Sequence, residues 1–204
     1  LYMTIHSTLL SYLIGMPLGL LLVVTGKGGI RPKPVFQSAL SVTINFLRSI
    51  PFIILLVLLF PVTRAVMGRA IGTQAIIFPL VISAFPYVAR MVENAVREVD
   101  HGVIEAALSM GSTDWQVIRK VMIPEALPSL LNGAAICMVT ILGYTAMASA
   151  AGGGGLGAIA ITKGLNMRKY EIMYSASLTL VALVQIMTIF GNQISKRLDH
   201  RIKN

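Results

Sequence analysis

The chain opens on an apolar run, Leu1 to Val24, that holds no Asp, Glu, Lys or Arg. A bilayer core about 30 Å thick takes about 20 apolar residues of helix, so a run of this length dictates a membrane-spanning segment. Four further runs follow, giving candidate spans at about 1–24, 35–60, 74–92, 129–148 and 172–194. The second is mixed, because Gln37, Ser38, Ser41, Thr43 and Asn45 interrupt its first half. It reads as one long helix with a polar stripe, or as an interfacial helix leading into a spanning one, with Arg48 and Pro51 at the join. Composition agrees: 12% of residues are charged and mean hydropathy is +0.78, against about 25% charged in soluble domains. The expected fold is a single all-α membrane domain of five spans over residues 1–204.

The net charge of +9 does not point to nucleic acid, because the basic residues lie between the apolar runs and act as topology signals. Lys27, Arg31 and Lys33, then Arg97, Arg119 and Lys120, then Lys196, Arg197, Arg201 and Lys203 fall on one side. Arg64, Arg69, Lys163, Arg168 and Lys169 fall on the other. This bias puts the N-terminus outside and the C-terminus in the cytoplasm. The sequence starts inside an apolar stretch with no signal-peptide pattern, so the native start is expected upstream. Cys137 is the one cysteine, which excludes an intramolecular disulfide and reads as a small buried apolar residue.

The connection at about 97–124 is too long and too patterned for a linker. Val103 to Met110 has helix-forming residues and ends at Gly111, a helix stop. Thr113 and Gln116 have capping-box spacing and start a second helix through Trp115, Val117, Ile118 and Val121. Pro124 and Pro128 punctuate the return to the membrane. Ala106 and Ala107 together present a close-approach surface. The alternative is an amphipathic pair lying on the membrane.

The order Glu105-Ala106-Ala107, Gly111, then Ile123-Pro124-Glu125-Ala126-Leu127-Pro128 resembles the EAA signature of importer permeases of the ATP-binding cassette (ABC) superfamily. Phe46-Leu47-Arg48-Ser49-Ile50-Pro51-Phe52, Ala89-Arg90-Met91-Val92-Glu93-Asn94-Ala95, Gly143-Tyr144-Thr145-Ala146-Met147 and Gly154-Gly155-Leu156-Gly157 are similar to the methionine importer permease subfamily in the same order. The resemblance implies a type I importer-like fold and a cytoplasmic loop helix that docks on a separate ATPase. Glu105 would meet a basic or donor group there, with Ala106, Ala107, Gly111 and Trp115 beside it. It also implies a homodimer of ten spans with the path at the two-fold interface, two ATPase subunits below, an external substrate-binding protein above, and a small amino acid, methionine foremost, as substrate. The remaining readings are a permease for another small amino acid or peptide, and a proton-coupled secondary transporter. The latter would show inverted repeats with broken helices, and no internal repeat is visible.

Gly152 to Gly157 matches G-x-G-x-x-G, but no strand precedes it, so a dinucleotide site is not indicated. Thr162-Lys163-Gly164 has the wrong order for a P-loop, so the chain is expected to hold no cofactor, with ATP and Mg bound by the ATPase. The glycine run reads as an external loop or gate, and Met147 before it as a gate residue or ordinary packing. Arg90, Glu93, Asn94 and Arg97 share one helical face, as a structural ion pair or a substrate contact. Arg48 with Asn45 and Ser49 carries the same alternatives. Pro79 and Pro86 are candidate kinks in the third span. Tyr144 and Asn132 line a path or hydrogen-bond between helices. An enzyme is not indicated: His6, His101 and His200 are isolated, no H-E-x-x-H occurs, and Asp100, Asp114 and Asp199 fall in cytoplasmic segments.

Overall fold

A computed structural model describes residues 1–198 of the chain; Asp199, His200, Arg201 and Lys203 lie outside the described residues. The architecture is helical: α1 (Tyr2–Thr25), α2 (Pro34–Ser49), α3 (Phe52–Leu58), α4 (Phe60–Met67), α5 (Ile77–Arg97), α6 (His101–Ser109), α7 (Asp114–Val117), α8 (Ile123–Met147), α9 (Leu156–Ala158) and α10 (Tyr170–Leu198). Three described helical runs are long and apolar enough to cross a membrane, at Tyr2–Thr25, Asp114–Met147 and Tyr170–Arg197, or four if one bent pair counts as a span. α5 has 21 residues and stands outside that set, with Arg90, Glu93 and Arg97 in its C-terminal half.

The bent pair corrects the single-helix reading of the second apolar run. α2 and α3 meet at 98° because Pro51 has no N–H and drives the preceding residue out of the helical region; Ile50 is extended at φ −84°, ψ 120°. α3 and α4 then run for only 7 and 8 residues, so no straight helix spans 35–60. The prolines of the fourth span behave oppositely. Pro124 and Pro128 do not separate loop from span: helix is continuous from Asp114 to Met147. A π-wound turn at Ile118–Met122 ends two residues before Pro124, and its wider winding opens the ladder where the proline ring would meet the carbonyl of Lys120.

α1 packs along α5 with its polarity inverted relative to a soluble helix. Thr4, Ser7, Thr8, Ser11, Gly15 and Gly19 are buried, while Leu9 and Leu13 are exposed. Small residues at the interface let two membrane helices approach where lipid offers the same apolar environment as leucine. A Cβ at Gly19 would sit 2.5 Å from the Ala89 carbonyl oxygen and 2.6 Å from Val92 Cβ. Gly19→Ala is therefore expected to push α1 off α5 and to cost about 1–3 kcal/mol, the usual range for overpacking. A thermal midpoint in detergent equal to that of the parent protein would contradict this.

The core follows the buried side of α5, with Leu80, Ala84, Val88, Val92 and Val96 meeting Leu56, Met122, Ala126 and Ile141. Cys137 is buried in the same core.

Candidate functional site: a helical loop and a charged clamp

Asp100 starts α6, its Oδ1 accepting from the backbone N–H of Gly102 at 2.6 Å. At the other end the Ser112 N–H donates to the Ala107 carbonyl at 3.1 Å and the Gly111 N–H to that of Leu108 at 2.9 Å. This paired closure needs a left-handed residue just beyond the helix, and Gly111 supplies it at φ +82°. The chain then turns straight into α7. Thr113 and Gln116 form the reciprocal capping box expected from their spacing, with the Thr113 N–H donating to Gln116 Oε1 at 2.8 Å and the Gln116 N–H to Thr113 Oγ1 at 3.4 Å.

Burial divides the loop into two faces. Ile104, Ala107 and Val117 point into the core, so Ala107 does not join Ala106 on an outer close-approach surface. A residue at i+3 from Ile104 shares its face, and that face is the inner one. Glu105 and Ala106 are exposed, and beside them Val103, Leu108 and Met110 are exposed as well, Met110 at 80%. These three apolar residues were not singled out from the sequence; their signal was spacing, since Leu108 is four residues after Ile104 and Val103 four before Ala107, which puts both on the edges of the buried stripe, with Met110 just past the end of α6. Trp115 is exposed too, and it lines a groove with Met16 and Leu20 of α1.

The charged residues of α5 form a clamp around Glu93. Arg90 Nη1 donates to Glu93 Oε2 at 2.6 Å, and Arg97 Nη2 to Glu93 Oε1 at 2.9 Å. Glu93 is 5% exposed, so its charge is met by two guanidinium groups in place of water. Arg90 Nη2 also donates to the Ser41 carbonyl at 3.0 Å and to Ser41 Oγ at 2.6 Å. The clamp thereby fastens the polar stripe of α2 to α5. Arg48 lies 5.8 Å from the centre of the Tyr87 ring, a second tie between the same helices. Asn45 is exposed, and its carbonyl accepts from Ser49 Oγ at 2.8 Å.

On α8, Tyr144 stacks on Phe52 with ring centroids 4.8 Å apart, so it joins α3 to α8. Met147 is 53% exposed and shares an open face with Gly143, where an added Cβ would meet nothing within 4 Å. Asn132 and Asn192 line a small groove between α8 and α10. Gly152 to Gly155 form a non-helical turn, and from Leu156 the chain folds back as α9 so that a Cβ on Gly157 would fall 2.4 Å from Ala146 Cα, with helical winding continuing to Leu165. Among the described residues, no group of three or more His, Cys, Asp and Glu is placed to hold a metal ion.

Comparison with known proteins fits this arrangement. The family "binding-protein-dependent transport system inner membrane component" matches residues 13–204. The probable D-methionine transport system permease protein MetI of Pasteurella multocida is 45% identical over 201 residues, covering 98% of this chain and 93% of that protein. The protein of the same description from Haemophilus influenzae is 44% identical over 200 residues, covering 98% and 94%. A solved chain of the MetNI methionine ABC transporter in an inward-facing conformation superposes with a TM-score of 0.96 at 43% identity, covering 98% of this chain and 92% of that one. The all-helical fold is that of a type I ABC importer permease, and the family consists of transport components, not enzymes. The chain belongs to the binding-protein-dependent transport system inner membrane component family.

Proposed function

We propose that the chain is the permease subunit of an ATP-driven methionine importer. Its five spans are α1, the bent α2–α4 segment, α5, α8 and α10, and two copies form a ten-span homodimer with the path at the two-fold axis. The observation that carries the reading is the loop α6–Gly111–α7, which holds exposed Glu105 and Ala106 on a capped frame beside apolar Val103 and Met110. Exposed apolar groups flanking a charge are the composition of a docking surface, and the partner is one of two cytoplasmic ATPases. Those subunits bind ATP and Mg; this chain holds no cofactor. An external substrate-binding protein delivers the amino acid.

Closure of the ATPases moves the loop. Val117, at the end of α7, leads without a helical break through α8 to Met147, so a displacement at the loop is transmitted as movement of one continuous rod. The proposed path follows the open face of α8 that carries Gly143 and Met147, with Met147 as its flexible gate. Arg90, Glu93, Arg48 and Tyr144 shape the bundle through the contacts described above and do not touch substrate in this reading.

The test is methionine uptake into proteoliposomes holding the permease, its ATPase and its binding protein. The expected result is accumulation that requires internal ATP. Hydrolysis without methionine accumulation would move the substrate to another small amino acid or peptide. That reading has its own support in a solved amino-acid ABC transporter at 25% identity and a TM-score of 0.67, covering 99% of this chain and 92% of that one. Failure to assemble with any ATPase would turn the assignment toward a secondary transporter.

A further inference from the structure

A groove of about 520 Å³ runs between α1 and the segment Trp115–Ile123. Its walls are apolar: Leu13, Met16 and Leu20 on one side, Trp115, Ile118 and Ile123 on the other. Tyr12 closes its far end, with its hydroxyl turned inward to donate to the Leu130 carbonyl at 3.4 Å. The groove follows α1 from Tyr12 to Val24, which at 1.5 Å per residue is about 18 Å. That is close to one leaflet of a bilayer core about 30 Å thick. Its open end carries Trp115, 65% exposed, and an indole with one polar edge prefers the membrane interface.

Charge at this rim selects the occupant. Arg119 and Lys120 are exposed, and Arg119 falls four residues after Trp115 and four before Ile123, between two groove residues. Asp114, next to Trp115, is paired with Arg31, so its negative charge is offset and the basic pair is left to face an anion. An apolar slot one leaflet deep, walled by the same helical segment that carries these two exposed cations, is complementary to a lipid with a negatively charged headgroup.

We propose that this groove is a binding site for an anionic phospholipid, with an acyl chain along α1 and the headgroup phosphate beside Arg119 and Lys120. Trp115 then serves as a wall of the lipid site rather than as a contact of the Glu105 surface.

Trp115 is the only tryptophan of the chain, and it reports the site directly. The assembled transporter is reconstituted with phosphatidylglycerol or phosphatidylcholine brominated on the acyl chain, each at the same fraction of the membrane. The Trp115 fluorescence is the difference between the parent protein and Trp115→Phe, which cancels the tryptophans of partner subunits. Brominated phosphatidylglycerol is expected to quench this component at lower mole fraction than brominated phosphatidylcholine, by about fivefold for each basic residue engaged. Arg119→Gln combined with Lys120→Gln is expected to bring the two lipids together. Equal quenching by both lipids in the parent protein would reduce the groove to ordinary lipid contact and overturn the proposal. Absence of quenching by either would overturn it differently, by showing the groove filled with protein, from a second copy or from the ATPase.

Discussion

Glu93→Ala is expected to destabilise the protein by about 3–5 kcal/mol, the usual loss when one partner of a buried ion pair is removed. Glu93 is the sole acidic member of its clamp, so its removal leaves Arg90 buried against Ser41 with no countercharge and Arg97 without its acceptor. The cost is high because an uncompensated charge at membrane depth has neither water nor a protein partner. Glu93→Gln keeps an acceptor oxygen in place and is expected to lose less. Arg97→Met removes the more exposed of the two guanidinium groups, at 47% against 17% for Arg90, and is expected to cost at most about 1 kcal/mol. Thermal midpoints of the purified variants in one detergent should therefore rank Arg97→Met above Glu93→Gln and Glu93→Ala lowest. Equal midpoints for Glu93→Ala and the parent would mean that the clamp holds nothing together.

Much of the frame was legible because the physics behind it is local. Long apolar runs announce helices, Pro51 marks the join within the second run without deciding between one helix and two, and the Gly111 stop and Thr113 cap follow from backbone hydrogen bonding within a few residues. What stayed hidden depends on distant parts of the chain. Arg90 was placed near Glu93 by helical spacing, but its other partner, Ser41, lies 49 positions earlier. No periodicity in α5 could name it. Ala107 was paired with Ala106 on a close-approach surface, whereas a helix sends consecutive residues to different faces and the core took Ala107. Pro124 and Pro128 were read as boundaries by their intrinsic preference; the π-wound turn at Ile118–Met122 removed the conflict at Pro124, and α8 takes Pro128 within it. The glycine run was read as an external loop or gate, and Gly152 to Gly155 are non-helical; the close approach of Gly157 to Ala146 is a tertiary fact that composition does not express. Tyr144 and Met147 sit three residues apart, yet one meets Phe52 and the other faces outward, which requires knowing where α3 lies.

Glu105→Lys and Gly111→Leu are expected to abolish ATP-driven uptake while leaving the protein inserted and folded. The two variants attack the proposed docking surface by different routes. Glu105 is exposed, so reversing its charge leaves the permease intact and acts only on what approaches from outside. Against a basic or donor group on the ATPase, like charges juxtaposed at an interface cost several kcal/mol; a cost of about 3 kcal/mol weakens association roughly a hundredfold. Gly111 is exposed and an added Cβ there meets nothing within 4 Å, so crowding at the Cβ is not what opposes leucine. The penalty is instead in the backbone: φ is +82°, and a side chain in the left-handed region costs about 1–2 kcal/mol. Relief of that strain opens the Ser112 to Ala107 closure and re-aims α7 relative to α6, so the loop no longer presents Glu105 in register. Glu105→Lys should then fail to retain the ATPase on a gradient or affinity column, whereas Gly111→Leu should retain part of it and hydrolyse ATP without transport. Reversing the partner charge on the ATPase should rescue Glu105→Lys and not Gly111→Leu. Normal ATP-driven uptake in both variants would remove this loop from the coupling route and leave α8 without its lever.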